Sequence, residues 1–180
     1  PLRRQRQMCI RDSFLAGKIL GNTIVGFLAT LLILGGGAIS IAASGLASDL
    51  ELDYGLVAVL LVGEILGLLF FGSLYAAAGS MVQRTEDLQS TQAPILFLVF
   101  ATMYVPMFGW MHLDATWMQV MTWLPPVSML VAPMQVAGGN LSWLGLLASY
   151  VLMAVVTALI IVLVGRIYRL SLIHISEPTR

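Results

Sequence analysis

Long stretches of this chain carry almost no charge, and short polar islands between them set its organisation. No charged residue stands between Lys18 and Asp49, which is ample for a bilayer-crossing helix of ~20 residues. The pattern predicts a first span over about 23–43, containing Gly35-Gly36-Gly37. In a membrane such small residues let neighbouring helices approach closely. An acidic loop, Ser48-Asp49-Leu50-Glu51-Leu52-Asp53, separates it from a second span over about 54–82, whose single charge is Glu64. A polar island from Gln83 to Thr91 follows, then a third span over about 94–110 with Pro106 inside it. Neighbouring helices can satisfy the carbonyl that such a proline frees. From Ala115 to Gly165 no charge appears, yet Pro125-Pro126 and Pro133 break the run and Gly138-Gly139-Asn140 makes a turn. Trp117, Trp123 and Trp143 favour the membrane interface. Residues 116–136 therefore read as a pair of short helices dipping into the outer interface, and 143–164 as the last span.

The expected fold class is an all-α membrane protein. It is a polytopic helical bundle of four spanning helices plus a proline-broken outer re-entrant or interfacial helix pair. Composition agrees: 59% of residues are hydrophobic and 10% charged, against roughly 45–50% and about 25% in soluble domains. A net charge of zero gives no footprint for nucleic acid. The single cysteine, Cys9, rules out an internal disulfide framework. Asn140-Leu141-Ser142 matches the glycosylation sequon, a short and weak pattern.

Both ends are expected to be foreign. The codons ATG TGT ATA AGA GAC encode Met8 to Asp12, and the complementary strand, extended as CTG TCT CTT ATA CAC ATC, encodes Leu170 to Ile175. One inverted DNA element thus brackets the chain, as sequencing adapters bracket a fragment. On this reading residues 1–13 and 170–180 are adapter-derived. Residues 14–169 are then the C-terminal part of a transmembrane permease domain. The alternative makes the basic start a juxtamembrane anchor on anionic lipid.

Topology follows from charge. With four spans, Lys18, Arg84, Arg166 and Arg169 share one side, while Asp49, Glu51, Asp53 and Asp114 share the other. The basic side is expected to face the cytoplasm, in a multi-pass protein of the cell membrane.

Candidate chemistry is sparse. The chain has no Gly-rich phosphate loop with a lysine, so no ATPase site of the usual kind and no bound cofactor are expected. No histidine–carboxylate cluster suits a metal. Ser80 has no base on its side of the membrane, because His112 falls at the opposite face. Glu64 stands near the middle of a span, where a carboxylate is expensive and by default marks a functional site. Binding a cation, relaying a proton, or hydrogen-bonding across the bundle all stay open for it. Gly72, Ala76 and Ser80 recur every four residues as a small-residue packing ridge. Thr85 is placed to cap a short helix with Glu86 and Asp87 in its first turn. A solvated loop accounts for the same charges.

Several segments together resemble the permeases of ABC type-2 transporters, especially the sodium-extrusion branch. Leu15-Ala16-Gly17-Lys18-Ile19-Leu20-Gly21 is similar to the opening of that family's third transmembrane helix. Ala78-Gly79-Ser80-Met81-Val82, with Arg84-Thr85-Glu86-Asp87-Leu88-Gln89 and Pro94, resembles the loop after its fourth. Pro125, Ser128, Pro133, Gly139 and Trp143 resemble its outer segment between the fifth and sixth. The likeness is collinear over residues 14–169. Gln135 stands where the family often has arginine, Leu144 where it has an acidic residue, and Glu64 is not typical of it.

The resemblance implies six spanning helices per subunit, the first two lying outside this chain with a large external domain between them. It implies an exporter driven by ATP bound on a separate ATP-binding subunit, with a second permease subunit as partner. The loop Arg84, Thr85, Glu86, Asp87, Leu88 would be the docking contact. Competing expectations are a secondary transporter or channel that uses Glu64, and a non-transporting membrane anchor or assembly protein.

Overall fold

The computed structural model describes residues 2–45, 53–82 and 88–174. Six α-helices follow in order: α1 Leu2–Ala43, α2 Tyr54–Met81, α3 Leu88–Gly109, α4 Thr116–Met121, α5 Ser128–Ala137 and α6 Trp143–His174. A 3-10 turn, Trp110–His112, closes α3. Among the described residues there is no strand. The protein is a polytopic helical membrane protein, with segments Gly17–Ala43, Tyr54–Gly79, Gln89–His112 and Trp143–Val164 long and apolar enough to cross a bilayer. Helices suit that setting because every backbone group is satisfied within the segment.

The second helix is the centre of the bundle and packs against α1, α3, α5 and α6. Asp53 caps its start, accepting from Gly55 N at 2.8 Å and Leu56 N at 3.3 Å. α1 runs antiparallel to it: Ile19 lies beside Gly72, Gly26 beside Leu68 and Thr30 beside Glu64. α6 runs parallel to it, with Trp143 beside Gly55 and the Tyr150 hydroxyl beside Val59. Much of the outer face of α1 and the row Phe97, Phe100, Tyr104 and Phe108 on α3 is exposed, as a surface for lipid or further helices must be.

The proline-broken segment forms the expected pair of short helices, α4 and α5, and it reaches deeper than the interface. Ser149 Oγ donates to Thr122 O at 2.6 Å, and Ser128 Oγ lies 3.8 Å from Met153 Sδ. Met153 is about 15 Å along α6 from Trp143, near the middle of the Trp143–Val164 segment. The chain then climbs back, and Gln135 Nε2 donates to Leu113 O at 3.0 Å. Irregular backbone at such depth survives only where protein buries it. Here Met118, Val127 and Val131 bury it on one side, and Ala132, Leu146 and Tyr150 on the other. Gly139, at φ 76°, makes the turn into α6.

One boundary differs from the sequence reading. The polar stretch from Leu88 to Ala93 belongs to the spanning helix α3 instead of a separate short helix. Gln89 and Ser90 are exposed at the start of this helix, and a helix end can carry residues too polar for the bilayer core. Pro94 lies inside this helix. A Thr85 cap, with Arg84, Glu86 and Asp87, lies outside the described residues.

Candidate functional site

Glu64 is placed by the α1–α2 contact. Where Gly26 meets Leu68 the two helices touch closely, since a Cβ at Gly26 would stand 3.0 Å from Leu68 Cδ2. One helical turn further along α1, Thr30 Oγ1 donates to Glu64 Oε1, joining the helices through the mid-span carboxylate. Glu64 is about 15 Å from the Tyr54 end of α2, so the pair lies partway along the span, half-buried between α1 and α2.

A cleft of about 710 Å³ runs from this pair toward the other end of α2. Its walls are Ile19, Leu68, Phe71, Gly72 and Ala76, with Lys18, Asn22, Tyr75, Gly79 and Gln92 toward the mouth. Met129, at the tip of the re-entrant pair, joins Glu64 and Gly67 at the inner end. The cleft therefore runs along the α1–α2 contact from Lys18 to Met129 at the re-entrant tip. Lys18 precedes Thr30 by about 18 Å of helix axis, so its ammonium cannot pair with the carboxylate. No ion pair to Glu64 is present among the described residues.

The re-entrant tip at Met129 is held by contacts the sequence reading did not single out. Tyr150 Oη lies 3.1 Å from both Val59 O and Met129 O. A hydroxyl has one proton, so it donates to one carbonyl at a time while bridging α6 to α2 and α5. Gly63 makes room for this: a Cβ there would stand 2.9 Å from Met129 O and 3.0 Å from Tyr150 Cζ. A Cβ at Gly67 would collide with the Met129 thioether. The signal available in the sequence was the Gly63-x-x-x-Gly67 spacing, the small-residue pattern of close helix contacts.

Gly72 and Ala76 line the cleft, and a Cβ at Gly72 would meet nothing nearer than Ile19 Cγ2 at 3.8 Å. Ser80 is in the last turn of α2, at the opposite end of the bundle from His112 in the turn after α3. Gln135 is buried in α5 with its Oε1 unpaired. Among the described residues no group of three or more His, Cys, Asp or Glu is placed to hold a metal ion.

Comparison with known proteins decides the family. The profile of the ABC-2 family transporter proteins matches residues 4–166. The chain belongs to that family. The uncharacterized protein YhaP of Bacillus subtilis (strain 168) is 32% identical over 118 residues, covering 60% of this chain and 28% of YhaP. The chain thus spans 28% of the length of this relative. No solved structure matches it.

Proposed function

We propose that this chain is the C-terminal part of the permease subunit of an ATP-driven ABC exporter, within the cytoplasmic membrane. The observation that carries the reading is the cleft along α1 and α2, which runs from Lys18 to Glu64 and Met129. Family membership supports the coarse role. Positive charge orients it: Lys18, Arg84, Arg166 and Arg169 mark the cytoplasmic side. Because α4 and α5 return to the side they left, Arg166 stays with Lys18, and the Lys18 end of the cleft then faces the cytoplasm.

The energy comes from ATP on a separate subunit, and a second permease subunit completes the pathway. Force has to cross a cytoplasmic contact. The polar loop Arg84 to Asp87, ending on Leu88 as the first residue of α3, is the contact we assign. Leu88 is the apolar knob, and Glu86 and Asp87 meet basic residues on the partner. Burying one leucine is worth roughly 1.5–3 kcal/mol, so Leu88→Ala lowers the association constant about tenfold or more. The Glu86→Ala/Asp87→Ala pair changes association rate and salt dependence more than affinity. Co-purification of the full-length permease with its ATP-binding subunit tests this. Unchanged binding and ATPase activity in both variants would remove the loop from the coupling path.

A further inference from the structure

We infer that the α1–α2 cleft binds a lipophilic organic cation, its charge held by Glu64 and Thr30 and its apolar body lying along Leu68, Phe71 and Ile19. As the substrate class of the exporter this rests on the permease reading above; the binding itself does not.

The argument starts from charge. A carboxylate near the bilayer centre needs a counter-charge or a proton, and no cation among the described residues reaches Glu64. Lys18 is about 18 Å away along the helix, too far for its ammonium to pair with the carboxylate. The chemistry of the site then selects among cations. Two side-chain oxygens, Glu64 Oε and Thr30 Oγ1, converge here. A hard metal ion asks for about six oxygens, and the helical carbonyls nearby are engaged in the helices. An organic ammonium or phosphonium needs only the charge and an apolar surround. The cleft supplies that surround with Leu68 and the Met129 thioether near Glu64, and with Ile19 farther along. Phe71 and Tyr75 stand one helical turn apart on the same wall, about 10 and 16 Å along α2 from Glu64, and extend the apolar wall beyond the charge. The cleft volume of about 710 Å³ falls in the range of roughly 300–1,000 Å³ that takes drug-sized ligands.

The test uses radiolabelled tetraphenylphosphonium and full-length permease in phosphatidylcholine nanodiscs, with empty nanodiscs subtracted and the ATP-binding subunit absent. Saturable binding is expected, and Glu64→Gln weakens it about tenfold to a hundredfold, the loss of one charge-assisted contact. Glu64→Asp keeps the charge and most of the affinity. It is also the informative variant if Glu64→Gln does not run as a monodisperse species. Tetraphenylborate, of the same shape and opposite charge, shows no saturable binding. Affinity within twofold of wild type in a folded Glu64→Gln would overturn the proposal and leave Glu64 a protonated link between α1 and α2. So would Glu64→Asp losing binding altogether, or tetraphenylborate binding as tightly as the cation. A permease that binds the cation yet fails to co-purify with an ATP-binding subunit would keep this inference and lose the exporter reading. The converse result would do the opposite.

Discussion

The same substitution, glycine to alanine, should have opposite effects at two positions of α2. At Gly63 the new Cβ stands 2.9 Å from Met129 O and 3.0 Å from Tyr150 Cζ, and closer still to the Tyr150 hydroxyl. The carbonyl is backbone and cannot rotate away, and the ring can retreat only by giving up its bonds to Val59 O and Met129 O. Overpacking of this kind costs typically about 1–3 kcal/mol, and the lost hydrogen bond about 0.5–1.5 kcal/mol. At Gly72 the nearest atom is Ile19 Cγ2 at 3.8 Å, so nothing is displaced. Both variants gain the same helix propensity, about 1 kcal/mol, which cancels when they are compared. Gly63→Ala should therefore be less stable than Gly72→Ala by about 1.5–4.5 kcal/mol. Unfolding in maltoside micelles, followed by tryptophan fluorescence, reads the difference, since Trp117, Trp123 and Trp143 all lie in or beside the re-entrant region. Equal stability, or a Gly72→Ala variant that is the weaker of the two, would refute the packing described at the re-entrant tip.

Gly67→Ala should fall between those two, because the atom it meets is the end of the flexible Met129 side chain. The same unfolding assay checks it. Tyr150→Phe should lower stability by about 0.5–1.5 kcal/mol, and cross-linking between α5 and α2 should report a looser re-entrant tip. Gln135→Met removes the bond to Leu113 O together with the unpaired Oε1. These opposed effects should leave stability within about 1 kcal/mol of wild type. Gln135→Glu, which buries an unpaired charge at the same place, should be the worse variant by several kcal/mol, as measured by unfolding midpoint.

The spans were legible because lipid demands long uncharged helices, and the start of α6 at Trp143 followed from the Gly138-Gly139-Asn140 turn. Pro125-Pro126 announced the broken pair, but its depth was not readable. Depth depends on Met129 seating against Gly63 and Gly67 beneath Tyr150, a contact among residues far apart in sequence. Glu64 stood out by its cost in the bilayer, whereas its partner Thr30 did not, because a threonine in a span is ordinary until a second helix faces it. α3 begins at Leu88, ahead of the predicted apolar run, because residues 88–93 are polar and hydropathy cannot distinguish a loop from a helix end. The ridge Gly72, Ala76 and Ser80 and the close contact Gly63 and Gly67 share one spacing. Only the packed neighbours separate a wall of the cleft from a tight seam.

The central claim is that this bundle is driven by ATP bound elsewhere, and hydrolysis measured with and without the permease tests it most directly. The ATP-binding subunit is assayed alone, with the full-length wild-type permease, and with its Leu88→Ala variant, all in nanodiscs. The account predicts hydrolysis that rises when the permease is present and falls back toward the unassisted rate with Leu88→Ala. An ATPase rate indifferent to the permease, alongside solute movement driven by an ion gradient, would contradict it.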